Sequence, residues 1–171
     1  RVLFRSNRGT GALQKVTLVF DAATGALDAI IESDWLSWAR TGATSAVASR
    51  HLARPDATVL GIIGTGKQAR SQLLAVAASR PISAVFVFGR DAGRRAAFAA
   101  EMSERAGVEV VALDRADSVV ERADILCTAT TSSQPVFDGA AIHPGLHVNA
   151  IGAHRPDRKS TRLNSSHVAL S

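Results

Sequence analysis

A doubly wound parallel α/β sheet, preceded by a hairpin and a helix, is predicted by three features of the 171-residue sequence. From residue 58 onward, short apolar runs alternate with helix-length stretches, the pattern of right-handed βαβ crossovers. Those runs are apolar nearly throughout rather than alternating, as befits strands buried on both faces of a parallel sheet. Residues 58–69 read TVLGIIGTGKQA, so that one such strand feeds directly into a Gly-x-Gly-x-x-Ala turn opening a helix.

The elements follow in order. Residues 13–20 (LQKVTLVF) end in an apolar run, 21–25 (DAATG) form a turn whose Gly25 can take a positive φ, and 26–31 resume as a strand. Together they make a hairpin with a five-residue loop. Ser37 is the expected N-cap of a helix over 38–53 that Pro55 helps to close. Strand 58–63, helix 68–79, strand 84–88, helix 92–106, strand 108–112, short helix 116–122, strand 124–129 and strand 147–151 complete the alternation. After Pro156 it stops: residues 159–171 (KSTRLNSSHVALS) have no periodicity that would bury anything, and residues 1–7 are equally unplaced. Both ends read as foreign, such as translated adapter sequence, or as ordinary flexible tails.

Composition excludes several function classes. An apolar fraction of 46% supplies one core and part of a second. No apolar run is long enough to span a membrane and no secretory signal opens the sequence, so no membrane partner is expected. Cys127 is the only cysteine, which excludes a disulfide framework and a Cys-based zinc site within the chain and suits a reducing, cytoplasmic setting. The net charge of +5 belongs to the ends. Six of the twenty basic residues lie in 1–8 and 158–171, leaving fourteen against fifteen acidic residues in 9–157. Nucleic acid is therefore not an expected partner, since that role needs a basic stripe on the folded body. No His/Asp/Glu spacing suggests a metal, and neither a nucleophile elbow nor a Ser-His-Asp constellation is present.

The chemistry begins at residues 64–69. In a dinucleotide-binding unit of the Rossmann type, Gly64 permits the strand-to-helix turn, Gly66 lets a diphosphate approach the backbone, and Ala69 lets the helix pack close to the sheet. Thr65, Lys67 and Gln68 fill the intervening positions, and the helix start supplies free N–H groups and a favourable dipole. The end of the second strand selects the dinucleotide. NAD-binding units usually carry an acid there, to accept from the ribose 2′-OH; this chain has Gly89 followed by Arg90. Asp91 is better placed to cap the next helix. Arg90 can pair with a 2′-phosphate, with Arg94 or Arg95 assisting, so NADP is expected rather than NAD. Arg94 and Arg95 can equally be the solvated face of a helix. The polar run Thr128, Thr130, Thr131 and Ser132 at the end of another strand either faces the nicotinamide ribose or is simply a polar loop before Pro135. His143 and His147 read as structural and His51 as surface.

The order of these motifs resembles the ornithine cyclodeaminase/mu-crystallin family. The resemblance spans about residues 9–157 and rests on FDAATGALDAI (20–30), LSWARTGATSAVASRHLA (36–53), GTGKQA (64–69), DILCTATTSSQP (124–135) and HVNAIGAHRPD (147–157). It implies a parent about twice as long, in which a substrate and dimerisation domain precedes the Rossmann domain and is completed by a returning C-terminal segment. Residues 9–54 would then be part of that first domain with its linking helix, 55–157 the NAD(P)-binding domain, 1–8 foreign or disordered, and 158–171 a foreign tail beginning where Lys159-Ser160 replace the family's Glu-Leu. The parent would be a homodimer and this chain an inactive internal fragment. By the same resemblance Arg40 grips a substrate carboxylate, Thr41 touches the cofactor, and Val148, Ala150 and Gly152 line the nicotinamide pocket. His154 stands where the cyclodeaminases carry a proton-handling aspartate. Its loss, with Arg155-Pro156-Asp157 following as in the ketimine reductases, implies reduction of a cyclic imino acid such as pyrroline-2-carboxylate or piperideine-2-carboxylate. His154 either donates a proton to the imine nitrogen or merely lines the site. The alternatives within the family are an ornithine cyclodeaminase using bound NAD, and a non-enzymatic NADPH-dependent binding protein of the mu-crystallin kind.

Overall fold

A computed structural model describes the backbone of residues 2–6 and 13–151, and the side chains of 15–151. It divides into two compact units at Arg40/Thr41.

The first unit is an antiparallel sheet in the order β1-β2-β3, with β1 at Val2–Ser6, β2 at Leu13–Phe20 and β3 at Leu27–Glu32. The hairpin falls where the sequence puts it. Gly25 takes φ 72°, and the Asp21 carboxylate accepts from the backbone N–H groups of Ala23 and Thr24 to close the turn. Val2–Ser6, to which the sequence assigns no element, pair along β2 from Val2↔Thr17 to Ser6↔Leu13.

Helix α1 covers Asp34–Leu52 and begins four residues before the start expected from Ser37. Ser33 is the capping position: its carbonyl accepts the first helical bond, from the Ser37 N–H at 2.9 Å. The Glu32 carboxylate accepts from the Asp34 N–H at 2.8 Å, while the Ser37 hydroxyl accepts from Lys15 Nζ at 3.1 Å. The cap is thus assembled from Glu32 and Ser33 at the end of β3, and Lys15 of β2 occupies the hydroxyl expected to cap. The compact division falls inside α1 rather than after residue 54. From Thr41 on, the helix turns small residues (Gly42, Ser45, Ala46, Ser49) inward; a Cβ on Gly42 would lie 2.3 Å from Ser71 Oγ.

The second unit is a five-stranded parallel sheet in the order β6-β5-β4-β7-β8. Its strands are β4 Val59–Ile63, β5 Ala84–Phe88, β6 Val110–Ala112, β7 Ile125–Thr128 and β8 His147–Ala150. Helices α2 (Lys67–Ser79), α3 (Ala92–Ala106) and α4 (Ala116–Val120) alternate with them, and a 3-10 turn occupies Gly139–Ala141. One core layer packs Leu73, Val76, Phe98 and Met102 of α2 and α3 against Leu60, Ile62, Val85 and Val87. The opposite layer joins Ile63 and Leu126 to Val119 and Val120 of α4. Apolar residues on both faces of β4 and β7 explain their unbroken apolar runs. No helix of the described residues is long and apolar enough to cross a membrane.

Candidate functional site

Strand β4 is central, with β5 and β6 on one side and β7 and β8 on the other. The chain therefore reverses direction across the sheet beside β4, and the crevice outside the carboxyl ends at such a reversal is where α/β sheets bind ligands. A cleft of about 670 Å³ lies there, between the ends of β4, β5 and β7.

Its floor is the glycine turn. Gly64 takes φ 118°, a region only glycine enters at little cost, and its N–H donates to Phe88 O at 2.8 Å. A Cβ there would lie 2.4 Å from the Ala129 carbonyl oxygen, so the turn is pressed against the end of β7. Gly66 is the opposite case. It stands at the start of α2 without a side-chain cap, and a Cβ on it would meet nothing within 4 Å. The backbone is therefore approachable from the cleft at the point where the helix presents its first N–H groups.

One wall is the end of β5 with the start of α3. Gly89 is buried under Thr65, whose methyl would stand 2.7 Å from a Cβ on it. Arg90 and Arg94 are exposed along the rim. Asp91 caps α3 as expected, its carboxylate accepting from the Arg94 N–H at 2.7 Å. Arg95 does not share the rim. It turns inward to donate to Gly89 O at 2.7 Å and to pair with Asp114, its guanidinium 5.7 Å from the Phe88 ring centre. The expectation that Arg95 assists Arg90 is thus corrected: the acid that claims it arrives from the loop after β6. Ala129, Thr130, Thr131, Ser132, Pro135 and Val136 form the facing wall.

Of the residues singled out in the sequence, the cleft gathers Gly64, Thr65, Gly66, Gly89, Arg90, Asp91, Arg94, Thr130, Thr131 and Ser132. The others stand elsewhere. Lys67 is exposed at the head of α2, Gln68 is half-buried, Ala69 is sealed in the core and Thr128 is buried in β7. Val148 packs into the second core layer, and Ala150 lies exposed beside Thr128 at the end of β8. Thr41 is half-buried in the second unit; Arg40 is exposed at the end of the first. Gly152 and His154 lie outside the described residues.

Two of the histidines are structural. His143 Nε2 lies 3.0 Å from Ala123 O, and His147 Nε2 lies 3.3 Å from Asn149 Oδ1. Burial holds the His147 ring below its usual pKa, against the Asn149 contact that raises it. His51 is exposed. Cys127 is fully buried, and burial pushes its thiol up to about 12, which rules out a thiolate nucleophile at neutral pH. Among the described residues no group of three or more His, Cys, Asp or Glu side chains is placed to hold a metal.

Sequence reasoning passed over Arg70. This side chain donates to Thr65 O at 2.9 Å and to both oxygens of Glu101 on α3, also at 2.9 Å. The partners lie 31 positions apart, and no local pattern announces the pair.

Comparison with known proteins places this geometry. A Delta(1)-pyrroline-2-carboxylate reductase of Bacillus cereus is 38% identical over 149 residues, covering 87% of this chain and 46% of that protein. The ketimine reductase mu-crystallin of Rattus norvegicus is 31% identical over 152 residues, or 89% of this chain and 47% of the relative. Among solved structures, the Thermococcus litoralis Delta(1)-pyrroline-2-carboxylate reductase in complex with NADH and L-proline superposes with a TM-score of 0.78 at 40% identity, over 81% of this chain and 43% of that one. The chain thus spans about half the length of the relatives it matches. Over residues 4–166 it matches the ornithine cyclodeaminase/mu-crystallin family as a whole, and it belongs to that family.

Proposed function

We propose that this chain carries the dinucleotide half of an NAD(P)-dependent oxidoreductase that reduces the C=N bond of a cyclic imino acid, such as pyrroline-2-carboxylate or piperideine-2-carboxylate. The observation that carries the reading is the cleft at the sheet reversal, floored by Gly64 and Gly66. The residues present fit a dinucleotide. The cleft has the volume of a cofactor site, Gly66 leaves the backbone open, and the head of α2 offers N–H groups and a positive dipole end to a diphosphate. Reductases of pyrroline-2-carboxylate and of ketimines among the relatives supply the substrate class.

Bound there, a reduced nicotinamide supplies the hydride. The chain's own part is to bind and orient. Arg90 and Arg94 on the rim favour a 2′-phosphate, because Gly89 stands where an acid would accept from a ribose hydroxyl and Asp91, two positions on, turns one carboxylate oxygen to the α3 cap. NADP is the proposed cofactor on that ground. NAD is the second reading, favoured by the NADH in the Thermococcus litoralis complex. Thr130 and Thr131 offer hydroxyls on the facing wall. Arg40 as the carboxylate anchor, Thr41 and Gly152 as cofactor contacts and His154 as a proton donor rest on the family resemblance. So do the assignment of residues 55–157 to the cofactor domain, a homodimeric parent and a cytoplasmic setting.

Assays of the full-length parent test the reading. NADPH oxidation stoichiometric with reduction of a cyclic imine is expected. Ammonia release from ornithine without net NADPH loss would replace it with a cyclodeaminase. Ligand binding with neither turnover would leave a mu-crystallin-like binding protein. The 171-residue chain alone is expected to bind dinucleotide without turnover.

A further inference from the structure

We infer that Arg70 is a positioning residue for the cofactor diphosphate: clamped by Glu101, it fixes the Thr65 carbonyl and thereby aims the Gly66 N–H. The inference rests on the dinucleotide reading of the cleft and adds to it a residue that does not line the cleft.

The geometry is specific. Arg70 Nη1 donates to Thr65 O at 2.9 Å, and its Nε–Nη2 edge is taken by the Glu101 carboxylate. The guanidinium lies 5.2 Å from the centre of the Phe98 ring, a side chain wholly buried in the core. Arg105 donates to the same carboxylate at 2.9 Å. Arg70 is therefore held by a carboxylate, a ring and a carbonyl at once, which the planar guanidinium can satisfy and an ammonium cannot.

Thr65 O and Gly66 N belong to one peptide plane, and none of the described peptide bonds is cis. In a trans peptide the C=O and N–H point in opposite directions. Holding the carbonyl toward Arg70 turns the Gly66 N–H away from it, at the one turn position where a Cβ would find open space. The other side of Thr65 is fixed as well, its methyl lying over Gly89. With Glu101 occupying the Nε–Nη2 edge, Arg70 acts by orientation rather than as a free cation offered to phosphate. The contact also links α3, whose first turn carries Arg94 and which Arg90 precedes by two positions, to the glycine turn.

The test compares three ligands by titration calorimetry on the 171-residue chain and its Arg70→Met variant, which keeps a stem to cover Phe98. NADPH and NADH both contain the diphosphate; adenosine 2′-monophosphate does not. Loss of one oriented charge-assisted bond predicts about tenfold weaker binding of NADPH and NADH by a common factor, with the monophosphate unchanged. Arg70→Lys is expected not to restore it. Equal weakening of all three ligands would reduce Arg70 to a general fold contact, and no weakening of any would remove its role; either result overturns the inference. Should Arg70→Met not fold, Glu101→Gln is expected to give the same pattern at smaller amplitude. If the unaltered chain binds neither dinucleotide, the cofactor reading itself falls, before any variant is compared.

Discussion

The Asn149 side-chain amide donates to the Ser49 hydroxyl at 2.9 Å, and both residues are buried. This bond ties β8, at the edge of the parallel sheet, to the inward face of α1. The same amide nitrogen lies 3.6 Å from Cys127 Sγ on the neighbouring strand. Ser49→Ala removes the acceptor and leaves a buried amide with only a weak sulfur partner, at a cost of about 1–3 kcal/mol. Chemical denaturation should show a lower midpoint with an unchanged slope. An unchanged midpoint would mean that the Asn149 amide finds another partner.

Gly64 and Gly66 separate folding from function. Alanine at 64 would need φ 118° and would press its Cβ to 2.4 Å from Ala129 O. The backbone alone costs about 1–3 kcal/mol, so Gly64→Ala should lower the thermal midpoint. Gly66 has φ −90° and open space around it, so Gly66→Ala should keep stability within about 0.5 kcal/mol. Its methyl would instead occupy the diphosphate approach and weaken dinucleotide binding. A Gly66→Ala variant that binds as tightly as the parent would show that the ligand does not approach the turn backbone.

These residues also mark what could be read from sequence. The strand–helix alternation, the glycine turn and the Asp91 cap depend on near neighbours, and the structure places them as expected. What could not be read depends on partners far along the chain. The Ser37 hydroxyl, expected as the α1 cap, accepts instead from Lys15, 22 positions away. Arg95 turns inward onto Gly89 O with the exposed Asp114 closing over its outer end, and Arg70 reaches Glu101 across on α3. Arginines on a helix look alike in sequence; their roles are decided by where a distant carboxylate lands.

The Glu101 carboxyl is held down to about 2, chiefly by the hydrogen bond from Arg70, with Arg105 adding to it and burial opposing both. A carboxylate whose folded pKa lies below its unfolded value near 4.3 adds stability that is fully present above that value. The contribution is lost as pH falls from about 4.3 through about 2. Asp124 behaves in the same direction. Burial raises it, but the Thr58 and Val59 N–H groups and Arg54 together bring it below its usual value. Glu101→Gln should therefore shallow the acid limb of the melting curve between about pH 5 and 2 without abolishing it. Parallel acid limbs for the two proteins would place the stabilisation elsewhere.

Arg90 decides between the two cofactors. It is exposed beside the cleft, one position after Gly89, while Asp91, the acid that lines the cleft with it, turns Oδ1 to the Arg94 N–H. An arginine on a phosphate forms charge-assisted bonds worth about 1.5–3 kcal/mol. Arg90→Ala should therefore weaken NADPH at least about tenfold. NADH has no 2′-phosphate to lose and should change little. The signature is a collapse of the NADPH/NADH affinity ratio, which a general disturbance of the fold would not produce. Arg94→Ala should act in the same sense with smaller effect, since Arg94 also shares the rim. Equal affinities of the unaltered chain for the two dinucleotides would leave Arg90 as a solvated side chain and return the cofactor assignment to NAD.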